Sequence, residues 1–213
     1  MHPPPPAVRS TPDTVIEQQQ TVWDGRFALQ VVRFRHRRFD GTMSEARTWE
    51  MLRRGHAAAL LPYDPVTDQV VLIEQFRLPA LAAGMDPVLV ELPAGMCDPG
   101  EAPQDTARRE AGEEAGLHPD RLHPIGTFLL TPGGCDETVA IFAGRVAAPA
   151  SGADGVAGSG GLAAEAEDIR ILVRPAAAAI ADALDGRITN IITATALLWL
   201  AARRDWLRGA WTA

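Results

Sequence analysis

Gly95-Met96-Cys97-Asp98-Pro99-Gly100-Glu101, followed after seven residues by Arg109-Glu110-Ala111-Gly112-Glu113-Glu114-Ala115-Gly116-Leu117, is the stretch that decides how the chain folds. A helix can begin at Pro103, whose fixed φ suits the first helical position, and end at Gly116, which accepts the left-handed cap conformation. On that helix Glu110, Glu113 and Glu114 stand at i, i+3 and i+4, so three carboxylates project from one face. The arrangement is costly by itself. Like charges at this spacing destabilise a helix by about 0.2–0.5 kcal/mol per pair, and Gly112 adds about 1 kcal/mol relative to alanine. A solvated acidic face would account for one Glu pair. The seven residues Gly95, Glu101, Arg109, Glu110, Glu113, Glu114 and Gly116 would coincide at these spacings in only about one in 10⁵–10⁶ chains of this length. A hard divalent cation offsets the repulsion, because Mg²⁺ takes oxygen ligands and is completed by substrate phosphates. Arg109, four residues before Glu113, is spaced to orient that carboxylate by a charge-assisted hydrogen bond.

Outward from this stretch lie strand-like and helical patterns. Upstream, the short apolar runs at 57–61, 69–74 and 87–92 read as buried strands, the first two separated by the turn-like Pro62-Tyr63-Asp64-Pro65. Downstream, strand character recurs at 125–130, 139–146 and 169–173, with a Gly/Ala/Ser-rich segment at 150–164 that reads as a flexible loop. Two helical patterns close the chain, at 175–184 and 188–207; the stripe Leu197, Leu198, Trp199 and Leu200 reads as core packing. Before all of these, residues 13–54 carry short strands broken by Asp40-Gly41, as a small antiparallel β domain would, and residues 1–12 read as a disordered Pro-rich tail. The division expected is therefore 1–12 tail, 13–54 β domain and 55–213 main domain.

The bulk composition narrows the function. With 213 residues, 46% hydrophobic, the chain can bury one full core and a small second domain. A net charge of −7 argues against a nucleic-acid partner, which clustered Lys and Arg would hold. It leaves a phosphate substrate open, since bound metal inverts the local field. The opening Met1-His2-Pro3-Pro4-Pro5-Pro6 lacks the apolar run of a signal peptide, and no run reaches the roughly 18 apolar residues of a membrane span, so a cytoplasmic protein is expected. Cys97 and Cys135 are expected as free thiols without a redox role.

The quoted stretch resembles the box of the Nudix hydrolases: glycine, five residues, glutamate, seven residues, then Arg-Glu-apolar-any-Glu-Glu-any-Gly-apolar. Every specified position fits, with Ala111 a small choice for its apolar slot. The resemblance implies an α/β fold, with a mixed β-sheet sandwiched between helices, and metal-assisted attack of water on a diphosphate. It implies Mg²⁺ as cofactor, with Mn²⁺ a possible substitute, held by the Ala94 carbonyl, Glu110, Glu113 and Glu114, with Arg109 and Glu113 serving catalysis. It extends over most of residues 20–207 toward the bacterial ADP-ribose pyrophosphatases of that family. Pro132, in Thr131-Pro132-Gly133-Gly134-Cys135-Asp136-Glu137, stands sixteen residues after Gly116, the spacing of that group, and Thr131 and Glu137 become candidate substrate contacts. Gly161-Leu162-Ala163-Ala164-Glu165-Ala166-Glu167 resembles the loop that delivers a catalytic glutamate, which maps to Glu165, with Glu167 as competitor. Arg54 and Arg77 match substrate-contacting positions.

One departure from the group is visible. Its members place an aromatic where this chain has Arg26 and an arginine where it has Trp49, so an exchanged sandwich of guanidinium and indole around the adenine is expected. The resemblance further implies a homodimer whose β domains are exchanged. The expected reaction is hydrolysis of ADP-ribose to AMP and ribose 5-phosphate. Another nucleoside diphosphate sugar such as GDP-mannose, or a non-catalytic ADP-ribose sensor, is the alternative.

Overall fold

The computed structural model describes residues 6–162 and 166–212. It divides into two compact units, Met1–His56 with Leu129–Thr138, and Ala57–Phe128 with Val139–Ala213.

In the first unit, β1 (Thr14–Asp24), β2 (Ala28–His36) and β3 (Arg47–Arg53) form a three-stranded antiparallel sheet. Ala28, Gln30 and Val32 are buried on one face of β2, the period-two pattern of a half-covered sheet. Residues read as a tail are tied down from Val8 onward. Val8 N–H donates to the Gln19 side chain at 3.0 Å and Ile16 N–H to Ser10 Oγ at 2.9 Å. Leu129–Thr138 joins this unit through backbone pairing, not hydrophobic periodicity: Leu52 N–H donates to Gly134 O at 2.8 Å and Asp136 N–H to Leu52 O at 3.2 Å.

The second unit carries β4 (His56–Asp64), β5 (Gln69–Phe76), α1 (Leu78–Ala82), β6 (Val88–Glu91), β7 (Ala94–Met96), α2 (Pro103–Ala115), β8 (Arg121–Leu129), β9 (Thr138–Arg145), β10 (Val156–Gly160), β11 (Ile169–Pro175), α3 (Ala176–Leu184) and α4 (Ile191–Thr212). Its sheet runs β10-β11-β5-β4-β9-β8, with β6 paired to β5 and β7 to β4. Helix α2 packs on β7 and β10, α3 on β11 and β5, and α4 on β6 and α3. Ala107, Ala111 and Ala115, each one turn apart on α2, are buried against Ala58, Leu60, Val71 and Ile73 of the sheet. The small Ala111 is thus fully enclosed. The stripe on α4 splits: Leu197 and Leu200 are buried, whereas Leu198 is exposed and Trp199 stacks on His123. No described helix is long and apolar enough to cross a membrane.

Over Val156–Gly160 the expected loop is instead a strand, paired with β11. Its residues are small for a steric reason. A side chain on Gly160 would overlap the Glu114 carbonyl, and Gly161 N–H donates to Glu113 O at 3.1 Å, so β10 runs hard against the end of α2. Lacking aromatic and all but one β-branched residue, such a strand has little β signature to read.

The turn from β4 to β5 is held by acids. Asp64 accepts from Val66 N–H at 2.8 Å and from Ala148 N–H at 3.0 Å. Asp68, at φ 59°, accepts from the buried Tyr63 hydroxyl at 2.7 Å and from Arg204 Nε of α4 at 2.8 Å. The Arg204 guanidinium, aided by Tyr63, holds the Asp68 carboxyl below its ordinary value. A depressed carboxylate adds stability above its unfolded pKa of about 3.9, and that stability is lost as pH falls through the folded value. Asp68→Asn tolerates the left-handed backbone but loses the charge, so it should cost about 1–3 kcal/mol at neutral pH by chemical denaturation. The gap between variant and wild type should close toward acidic pH; a gap constant with pH would remove the ion pair from the account.

Candidate active site

Helix α2 starts with Pro103 in its first turn and closes at Gly116, which is left-handed at φ 64° while Leu117 N–H returns to Ala111 O at 2.9 Å. Ahead of it, Gly100 at φ 85° turns the loop so that Glu101 faces the helix. Glu101 accepts from Asp98 N–H at 3.1 Å and Thr106 Oγ1 at 2.7 Å, while Arg109 Nε and Nη2 each donate to it at 3.1 Å. Bonding from Arg109, then Thr106 and Asp98, holds the Glu101 carboxyl down to about 2. Arg109 Nη1 donates to Glu110 at 2.8 Å and to Glu113 at 2.9 Å, and Nη2 to the Met96 carbonyl at 3.2 Å. One guanidinium therefore ties the loop, β7 and two carboxylates together.

Glu114 is only 2% exposed, and its Oε2 accepts from Ala94 N–H at 2.8 Å. Burial, reinforced by the charges of Glu110 and Glu167, pushes its carboxyl up to about 8. Burial raises Glu110 as well. A cation bound beside them would favour ionising both carboxylates. Gly95 faces the Glu110 carboxylate so closely that a Cβ there would overlap Oε1. That close approach is why this position needs glycine. Three carboxylates on one helix face offer oxygen donors of the kind that suits a hard divalent ion. Among the described residues no three acidic, His or Cys side chains already converge on one point. Glu110 and Glu113 are drawn to Arg109 instead.

Glu165 lies outside the described residues. Its competitor Glu167 is described: its Oε2 accepts from Leu162 N–H at 3.0 Å, and its charge acts on Glu110 and Glu114. Arg77, at the end of β5, acts on the same cluster and is held by Glu91 at 2.7 Å. Glu91 was not singled out in the sequence. An acid ending the apolar run Val88-Leu89-Val90 was the available signal, because a buried charge requires a partner.

The remaining candidates lie in the first unit. Trp49 is half exposed, its ring stacks on Phe34 at 5.9 Å, and its Nε1–H donates to Gly133 O at 3.1 Å. It lines a cavity of about 270 Å³ with Val32, Phe34 and Pro132–Cys135. Thr131 anchors this loop: its carbonyl accepts from Gly134 N–H at 3.0 Å and Cys135 N–H at 2.9 Å. Arg54 pairs with the buried Glu137 at 3.0 Å and lies over the Phe27 ring at 4.8 Å. Arg26 stands over the same ring at 5.8 Å. The structure does not bring Arg26 to Trp49. The ladder pairs Trp49 with Val32, six residues beyond Arg26, a separation of roughly 20 Å along the strand.

Comparisons with known proteins bear on this geometry. A family model described as the NUDIX domain matches residues 53–187. The chain is 44% identical over 199 residues to the ADP-ribose pyrophosphatase of Escherichia coli (strain K12), covering 93% of each. It is 37% identical over 206 residues to the ADP-ribose pyrophosphatase of Haemophilus influenzae, covering 95% of this chain and 92% of that one. With the GDP-mannose pyrophosphatase of Yersinia enterocolitica it shares 34% identity over 152 residues, covering 71% and 76%. A solved structure described as an ADP compounds hydrolase superposes with a TM-score of 0.65 at 22% identity, covering 97% of this chain and 100% of that one, and so shares its fold.

Proposed function

This chain belongs to the Nudix family, and we propose that it hydrolyses the diphosphate of ADP-ribose to AMP and ribose 5-phosphate. The observation that carries the reading is the carboxylate face of α2, where the buried Glu114 and the half-buried Glu110 are both raised and Gly95 leaves room for the Glu110 carboxylate. Relatives named for ADP-ribose across nearly the whole chain support the substrate. The shorter match to a GDP-mannose enzyme supports the second reading, another nucleoside diphosphate sugar. Side-by-side kcat/KM values decide between them: ADP-ribose should lead, and preference for GDP-mannose would overturn the assignment.

Enzymes of this family use divalent metal ions; here we take the ion to be Mg²⁺, replaceable by Mn²⁺, with the Ala94 carbonyl, Glu110, Glu113 and Glu114 as its holders. Bound there, the ion supplies neutralisation of diphosphate charge and activation of water. Arg109 holds Glu110 and Glu113 in place from one guanidinium. Arg77 offers a positive charge beside the same cluster. Glu165 is assigned as general base. In Gly95→Ala the new methyl displaces the flexible end of Glu110 and leaves the fold intact. Its half-activating Mg²⁺ concentration should rise about 10–100-fold, the usual range for disturbing a ligand's support. An unchanged Mg²⁺ requirement would take Glu110 out of the ligand set.

The nucleoside is assigned to the first unit, where Trp49 and the loop from Thr131 to Glu137 meet, with Arg54 beside them. Trp49→Ala should raise KM for ADP-ribose far more than it lowers kcat, the sign of binding lost equally from ground and transition states. An unchanged KM would remove Trp49 from the site. Arg26, in the turn between β1 and β2, stands far from Trp49 of the same chain, so a base sandwiched by both would take Arg26 from a second copy. On that reading the protein is a homodimer formed through residues 13–54, with 55–213 as the catalytic domain; a fully active monomer at micromolar concentration would refute it.

A further inference from the structure

Arg77 is not a loose surface charge. Glu91, at the end of β6 and 4% exposed, accepts through Oε2 from Arg77 Nε at 2.9 Å, Arg77 Nη2 at 2.7 Å and Gln75 Nε2 at 3.1 Å. Its other oxygen, Oε1, accepts from Asn190 Nδ2 at 2.8 Å. Asn190 immediately precedes α4, and its Oδ1 accepts from Thr193 N–H at 3.0 Å, capping that helix. Thr193 Oγ1 in turn accepts from Leu92 N–H at 3.0 Å. Residues 91 and 92 are therefore both tied to the first turn of α4, about a hundred positions away in sequence.

From this ring we infer that Glu91 is a positioning residue: it holds the guanidinium of Arg77 by one edge so that the opposite edge meets the substrate's diphosphate, and Asn190 locks Glu91 in that role. Glu91 binds the Nε and Nη2 edge, while Nη1 takes no acceptor among the described residues and the Arg77 side chain remains 43% exposed. A planar fork fixed on one edge presents the other with little freedom left to lose. The choice of cap fits the role. Asparagine accepts from the helix N–H and donates to Glu91 through one side chain, whereas aspartate would cap equally well and set a second carboxylate against Glu91. A buried acid with all its partners is tolerated; the loss of Asn190 or Arg77 makes it costly.

The inference rests on the reading of Arg77 as a diphosphate contact, so two measurements are needed. In the first, kcat/KM for ADP-ribose at saturating Mg²⁺ is measured for Glu91→Gln, Arg77→Ala and the double variant. Glu91→Gln should lower kcat/KM about 10–100-fold when Arg77 is present, the effect of misplacing a substrate contact, and about threefold or less when it is absent. Asn190→Ser, which keeps a helix cap but removes the amide that donates to Glu91, should repeat this dependence on Arg77, and serves if Glu91→Gln fails to fold. Equal losses in both backgrounds would mean a purely structural role and overturn the inference. In the second, the Arg77 Nε–H resonance, identified by its loss in Arg77→Lys, is followed by NMR without substrate. It should be resolved and slowly exchanging in wild type and lost in Glu91→Ala, which leaves the guanidinium no acceptor at that position. Persistence would overturn positioning even if the protein hydrolyses no ADP-ribose, whereas absent turnover with loss of the resonance overturns the substrate and keeps the positioning.

Discussion

Replacing Glu114 with glutamine is expected to lower ADP-ribose turnover by at least about 10³-fold at saturating Mg²⁺. Glutamine keeps the size of the side chain, and its carbonyl can still accept from Ala94 N–H, the bond that joins α2 to β7. What is lost is the capacity of this buried group, beside Glu110 and Glu167, to carry a negative charge when a cation is bound. If that charge helps hold the ion that neutralises the diphosphate, its removal forfeits several kcal/mol of transition-state stabilisation, each 1.36 kcal/mol being about tenfold in rate. Circular dichroism and the melting temperature of the metal-free protein should be close to wild type, which separates loss of chemistry from loss of fold. Near-normal turnover at ordinary Mg²⁺ would refute ligation by Glu114.

A different signature is expected at Glu165. As general base its replacement by glutamine should cut kcat about 10²–10⁴-fold while leaving the half-activating Mg²⁺ concentration nearly unchanged, whereas loss of a metal ligand moves both. Glu167→Gln is the necessary companion, because Glu167 already acts on Glu110 and Glu114 and is tied to Leu162. The milder effect should belong to Glu167. If Glu167→Gln proves the more damaging, the base is Glu167; if neither matters, water is activated by metal alone.

What the sequence made legible follows from where the physics is local. Helix α2 could be bounded from Pro103 and Gly116, because a fixed φ and a left-handed cap are properties of single residues. Strand β10 could not, since its small residues are dictated by the approach of Gly160 to the end of α2, a contact between elements far apart in the chain. Leu129–Thr138 was hidden for a related reason: backbone bonds to Leu52 attach it to the first unit, and backbone bonding leaves no trace in side-chain pattern. The separation of Arg26 from Trp49 is a matter of register, fixed by ladder pairing and not by composition. Arg77 could be marked as a candidate, but its partners Glu91 and Asn190 lie 14 and, from Glu91, 99 residues away.

The most direct test of the central claim, that the α2 carboxylate face drives metal-dependent cleavage of ADP-ribose, is a ³¹P NMR time course on the wild-type protein with chelator present and then with Mg²⁺ restored. The expected result is an inert mixture under chelator and, after Mg²⁺, loss of the diphosphate signals with AMP and ribose 5-phosphate appearing in equal amounts. Cleavage that proceeds under chelator, or a diphosphate that survives with Mg²⁺ in excess, would contradict it.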